Sequence, residues 1–245
     1  MLILRDTDSV AVHAQRSVVT IGAYDGVHKG HRAVIAHVQS EAKRLDCQGV
    51  VVTFDKHPAS VVRPESAPKL LTDSEQKIEL LAGTGIDATF IVHFDEASSK
   101  EDPAAFVKRV LVEALGAKLI VVGEDFHFGY KRGGNVAMLR ELGKQYDFDV
   151  VPMQLVPRTD GVAEPVSSTA IRRALAGGQV EVAQQLLGRP FSVRGVVVNG
   201  DKRGRTIGFP TANVEVSNQM CLPADGVYAG MFTCADGSVH GCAIN

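Results

Sequence analysis

The sequence predicts an α/β domain built on a parallel sheet, followed by a smaller antiparallel β domain. Three observations carry this prediction. Between about residues 17 and 152, short β-rich apolar runs alternate with longer segments of helical periodicity. The short runs are apolar nearly throughout, as strands covered on both faces must be. After residue 165 the texture changes, and from Phe191 onward β-branched runs between Gly- and Pro-rich turns dominate.

In chain order, strands are expected at SVVTIGA, GVVVTF, ATFIVHF, LIVVGEDF and FDVVPM. Helices are expected at HRAVIAHVQSEAKRL, DSEQKIELLAGTG, DPAAFVKRVLVEALG and NVAMLRELGKQY. The third helix is the clearest case. Phe106, Val107, Val110, Leu111, Ala114 and Leu115 recur at three- and four-residue steps. Asp102 before Pro103 signals its start and Gly116 its stop. STAIRRALAGG and VEVAQQLLGRP then read as two short helices joined by Gly177-Gly178. The β-type runs FSVRGVVVNGD, GFPTANVEV, GVYAGMFTC and VHGCAIN complete the chain. A boundary near Gly188 to Pro190 divides it into residues 1–188 and 189–245. The second part has room for about four or five strands, and its last run ends without a turn, so that domain is expected to be incomplete.

The chain has 245 residues, 45% hydrophobic and 22% charged, which excludes wholesale disorder. A net charge of −2 gives no general attraction to nucleic acid or an anionic membrane. Affinity for phosphate must therefore be local. The four cysteines are scattered, with no C-x-x-C pair. No signal-peptide pattern and no apolar run of membrane-spanning length is present. A soluble cytoplasmic protein is expected.

Beyond the carboxyl ends of parallel strands is where such sheets bind ligands. The first strand leads straight into Gly22-Ala-Tyr-Asp-Gly-Val-His-Lys-Gly-His31. Gly22, Gly26 and Gly30 allow a phosphate to approach the backbone closely, and a helix start near Gly30 adds N–H donors and a favourable dipole. His28 and His31, three apart, can face the same side and stabilise charge on a phosphate in transfer. Half of a metal site is the rival reading, though no third ligand has suitable spacing.

This segment resembles the H-x-G-H motif of the nucleotidylyltransferase superfamily. Val166-Ser-Ser-Thr-Ala-Ile-Arg172 resembles that superfamily's S-S-T-x-I-R segment. A cap from Ser167, Ser168 or Thr169 and a guanidinium grip from Arg172 fit phosphate binding. Thr53-Phe-Asp-Lys-His-Pro58 and Val122-Gly-Glu-Asp-Phe-His-Phe-Gly129 follow later strands. Phe54, Phe126 and Phe128 in them offer flat apolar surface, and are equally consistent with core positions. Together with Asn199-Gly-Asp-Lys-Arg-Gly-Arg-Thr-Ile-Gly-Phe-Pro-Thr-Ala-Asn213, close to a flavokinase G-R-x-x-G-F-P-T-A-N signature, the whole chain resembles the bifunctional riboflavin kinase/FAD synthetase family.

The resemblance implies a Rossmann-like nucleotidylyltransferase domain followed by an incomplete riboflavin kinase-like antiparallel β-barrel. It implies FMN adenylylation by ATP with Mg²⁺, with His28, His31 and Arg172 catalytic. Gly22, Tyr24, Asp25, Gly26, Gly30, Ser168 and Thr169 would join them around ATP. Phe54, His57, Pro58, Asp125, Phe126 and Phe128 would lie toward FMN. Gly204, Arg205, Gly208, Thr211 and Asn213 would serve the kinase nucleotide, with Thr211 and Asn213 as oxygen ligands to the metal. The partners implied are ATP, FMN and riboflavin, without nucleic acid or membrane, and with room for weak self-association. A nucleotidylyltransferase for another phosphorylated acceptor and a non-catalytic flavin or nucleotide binder are the alternatives. Tyr24, Lys56, Asp125 and Ala170 depart from the common Phe, Pro, Asn and Arg of the family. The family's kinase base, a Glu well downstream of P-T-A-N, would fall beyond Asn245, so nucleotide binding without kinase turnover is expected.

Overall fold

The computed structural model describes residues 1–6, 16–200, 203–206, 208 and 211–245. The chain divides into two compact units, Met1–Ser168 and Thr169–Asn245, and each is described by itself.

The first unit opens with β1 (Leu2–Arg5) and β2 (Ser17–Ile21), then α1 (Lys29–Leu45), β3 (Gln48–Phe54), α2 (Pro58–Val62), α3 (Ser74–Ala82) and β4 (Ala88–Val92). It continues with α4 (Pro103–Phe106), which runs into a π-helical stretch Val107–Ala114, then β5 (Ala117–Gly123), the short strands β6 (His127–Phe128) and β7 (Gly134–Asn135), α5 (Val136–Tyr146) and β8 (Asp149–Met153). All five expected strands and all four expected helices are present. Asp102 caps the third helix by accepting from the N–H groups of Ala104 and Ala105. Beyond it Gly116 adopts φ +53°, which suits glycine.

The six-stranded sheet runs β1-β4-β3-β2-β5-β8, and every pair is parallel. Successive residues of each strand supply opposite faces. Val19, Ile21, Val50, Val52, Phe90, Ile120 and Val122 join one core with Phe106–Leu115 residues and Leu139 of α5. Val18, Val51, Leu119 and Val121 join the other with Ile35, Val38 and Ala42 of α1 and Leu81 of α3. Two buried faces explain why these strands read as continuous apolar runs.

From β2 the chain moves to β3 on one side, and later to β5 on the other. The carboxyl ends of β2 and β5 therefore flank the switch in strand order, where open α/β sheets form a crevice. The glycine-rich turn leaves β2 at that point.

The second unit contains α6, which begins at the last residue of the first unit (Ser168–Ala176), then α7 (Val180–Leu187), β9 (Val196–Val198), the single turn α8 (Arg203–Thr206), β10 (Asn213–Glu215), β11 (Tyr228–Thr233) and β12 (Val239–Ile244). Gly178 joins α6 to α7 at φ +70°, and a side chain there would press on the Tyr228 hydroxyl, which donates to the Ala224 carbonyl at 2.6 Å. The strands form two antiparallel ribbons, β9–β10 and β11–β12.

Candidate active site

The turn after β2 is held by its own side chains. His28 caps α1: the His31 N–H donates to its Nδ1 at 3.3 Å. With Nδ1 accepting, a neutral His28 ring carries its hydrogen on Nε2. The His31 ring stacks on it with centroids 3.6 Å apart and planes 18° from parallel. The Tyr24 ring also lies against His31, tilted by 50° with centroids 4.8 Å apart. Gly30 makes this arrangement possible, since a Cβ there would lie 3.1 Å from the His28 ring and 3.3 Å from the Val166 carbonyl.

The surroundings of His31 favour its neutral ring. Burial pulls the His31 pKa well below the ordinary 6.5, and the neighbouring His28 lowers it further. Its Nδ1 is enclosed and has no hydrogen-bond partner among the described residues. Burial raises the Tyr24 phenol, although its hydrogen bond with Thr20 at 2.7 Å pulls the other way. Tyr24 therefore acts as a neutral wall, and its ring also lies against Gly22.

Asp25 is buried, and its carboxylate accepts from the N–H groups of Leu71 and Thr72. Thr72 in turn accepts from the Gly26 N–H at 3.1 Å. The Ser168 hydroxyl donates to the Asp25 carbonyl at 2.9 Å. Two motifs 143 residues apart thus meet at Asp25, and the turn is tied to the segment preceding α3.

At the end of β3, His57 caps α2, accepting from the Ala59 N–H at 3.2 Å, and Pro58 is the first helical residue. Phe54 is half-buried and meets Phe94 edge to face. Lys56 is exposed. Asp55 accepts from the Phe94 N–H at 2.8 Å and pairs with His93 at 2.7 Å. Its partial burial favours the acid, but these hydrogen bonds outweigh that and hold its pKa below the usual value. Beyond β5, Asp125 is exposed and Phe126 is half-buried. Phe126 stacks on Phe128, which is buried in the core against Phe106 and leaves no room for a side chain at Gly134.

In the second unit Thr169 is exposed, Ala170 buried and Arg172 half-buried, one turn along α6. Gly204 lies in α8. The side chain of Arg205 is outside the described residues, as are Lys202, Ile207, Phe209 and Pro210. Gly208 has φ +81°, and Thr211 and Asn213 are exposed two residues apart. Among the described residues no three His, Cys, Asp or Glu side chains cluster as metal ligands.

Sequence reasoning missed Lys77. From α3 its ammonium reaches the Phe54 carbonyl at 2.7 Å. Burial lowers its pKa, opposed by the charges of Asp25 and Asp55. No local signal marks it, because a lysine on an amphipathic helix ordinarily points to water.

Comparison with known proteins gives two family matches in succession along the chain. The FAD synthetase family profile matches residues 11–170 and the riboflavin kinase profile residues 187–245. A bifunctional riboflavin kinase/FMN adenylyltransferase of Buchnera aphidicola (subsp. Schizaphis graminum) is 35% identical over 96% of this chain and 74% of its own. The protein of that description from Listeria monocytogenes is 41% identical over 91% of this chain and 69% of its own. A crystal structure of a macrolide-efflux protein from Streptococcus pneumoniae superposes with a TM-score of 0.79 at 28% identity, covering 99% of this chain and 83% of that one. Among the described residues, no helix is long and apolar enough to cross a membrane.

Proposed function

The chain belongs to the bifunctional riboflavin kinase/FAD synthetase family, and from that premise we propose that its N-terminal module makes FAD by adenylylating FMN. A phosphate oxygen of FMN forms the new bond to the α-phosphorus of ATP, and the bond to the departing pyrophosphate breaks. No covalent enzyme intermediate is required. The observation that carries the reading is the His28–His31 stack with its enclosed, unpartnered Nδ1, set where the strand order switches.

Both reactants are polyanions, so catalysis is positioning and charge stabilisation. His28 holds the entry of α1 through Nδ1 and keeps its ring stacked on His31 beside the phosphate. His31, neutral by burial, offers a hydrogen bond to oxygens that gain charge. Gly22, Gly26 and Gly30 keep the backbone close to ATP, while Ser168, Thr169 and Arg172 serve its phosphates. Asp25 contributes by holding the turn and the Leu71–Thr72 segment together. Phe54, His57, Pro58, Asp125 and Phe126 face the flavin, with Phe128 as the support beneath Phe126.

Residues 1–188 constitute this module in our reading, and residues 189–245 part of a kinase module that phosphorylates riboflavin to FMN. The two antiparallel ribbons are read as pieces of its barrel. Thr211 and Asn213 are hard oxygen donors suited to Mg²⁺, which neutralises phosphate charge when bound with ATP. Four cysteine thiols support a reducing, cytoplasmic setting.

The test is FAD formation from FMN, ATP and Mg²⁺, followed by flavin separation. His28→Ala and His31→Ala are each expected to lower kcat by about 10²–10³. Unchanged turnover in both would remove their role. Adenylylation of another phosphorylated acceptor in preference to FMN would overturn the substrate.

A further inference from the structure

Lys77 lies between the two loops that the proposed reaction needs. The capping box of Asp73 and Gln76 starts α3 one turn earlier and fixes the direction of the helix. The Lys77 side chain then runs inward to a notch it lines with Ala23, Asp25, Asp55, His57 and Thr72. Ala23 and Asp25 belong to the turn carrying the histidines. Asp55 and His57 belong to the loop after β3. Its one hydrogen-bond acceptor among the described residues is the Phe54 carbonyl, which leaves two of three ammonium N–H donors for another group.

Burying a cation is costly unless its donors are used. Burial lowers the Lys77 pKa and the charges of Asp25 and Asp55 oppose that shift, while the same carboxylates also accept from Leu71, Thr72, Phe94 and Lys56 and pair with His93. The charge balance also selects the ligand. Asp25, Asp55 and Asp73 line the notch against this single ammonium, so a phosphate dianion is repelled there. A neutral oxygen is not repelled, and neighbouring carboxylates can accept from an adjacent N–H or O–H.

We propose that Lys77 is a binding residue for the flavin substrate, donating from Nζ to a neutral oxygen of the flavin, either a carbonyl of the ring's dione edge or a hydroxyl of the ribityl chain. The assignment rests on the FMN adenylyltransferase reading. It distinguishes the two ends of FMN: the histidines take the phosphate and Lys77 takes the flavin.

The experiment measures KM for FMN and ATP in FAD formation by the wild-type chain and by Lys77→Met, with riboflavin and lumiflavin as competitors against FMN. Absence of FAD from the wild type would sink the functional reading itself. Given wild-type activity, Lys77→Met is expected to raise KM for FMN about ten- to a hundredfold, the size of one hydrogen bond from a charged donor, with KM for ATP unchanged. The riboflavin inhibition constant should rise by the same factor. A parallel rise for lumiflavin places the oxygen on the ring, and an unchanged lumiflavin constant places it on the ribityl chain. A rise for FMN without one for riboflavin makes the phosphate the partner and overturns the proposal. So does an equal rise for ATP, which marks a purely structural lysine. If Lys77→Met does not fold, ¹³Cε-lysine NMR of the wild type decides. The buried lysine signal should shift with FMN and not with a non-hydrolysable ATP analogue. No shift with FMN, or the same shift with both, rejects the assignment.

Discussion

Val-Val-Val occurs in two strands of this chain with opposite fates. Val50, Val51 and Val52 of β3 are 2%, 0% and 0% exposed, whereas Val196, Val197 and Val198 of β9 are 70%, 58% and 39% exposed. The tripeptides are chemically identical, so β-propensity cannot explain the difference. Neighbours do. β3 lies between β2 and β4, with α1 and α3 packed on one face and the α4 stretch and α5 on the other. Among the described residues β9 pairs only with β10. Apolar composition makes a strand, and the layers around it decide whether that strand stabilises anything.

The largest test of this contrast is hydrogen exchange. Amides of 50–52 should exchange about 10³-fold more slowly than those of 196–198, or slower still, since core strands open only with global unfolding. Equal protection would mean that β9 is covered in solution. Mutation sharpens the same point at lower amplitude. Val51→Ala should lose about 2 kcal/mol in denaturant unfolding through lost burial and a cavity, while Val197→Ala should stay within about 0.5 kcal/mol.

A further test is a pH dependence seated in the first unit. His31 binds its proton more weakly when folded than when unfolded. Above about pH 6.5 both states are neutral and nothing is lost. As the pH falls below that value the unfolded chain takes up a proton first, and stability drops by at most about 1.4 kcal/mol per pH unit until the folded pKa is passed. His31→Gln should flatten this slope in pH-dependent unfolding, and an unaltered slope would place the proton elsewhere.

The periodic elements were legible because two-sided burial writes continuous apolar runs and helix packing writes three- and four-residue steps. β1 escaped because it is a four-residue edge strand, and most of its residues are exposed. α2 escaped because it is only five residues long and its start depends on the His57 imidazole acting as a cap. The π-helical stretch could not be foreseen, since its apolar face matches that of an α-helix. In the site, His28, Gly30 and His31 were legible from their spacing, as were the aromatic positions as a group. What separates half-buried Phe126 from core Phe128 is tertiary, set by Phe106 and Gly134. Asp25 reads as a ligand residue in sequence, yet its carboxylate reaches a segment 46 residues away. Lys77 depends on the meeting of α3 with β3, which no local pattern records.

In the run from Tyr24 to His31, Lys29 is the one exposed residue. Its immediate neighbours are a buried imidazole and a glycine with no side chain to disturb. A fluorophore or spin label attached at position 29 would start from the exposed residue of the turn, one residue from His28. It would report each arrival and departure at the site without taking up any of its space.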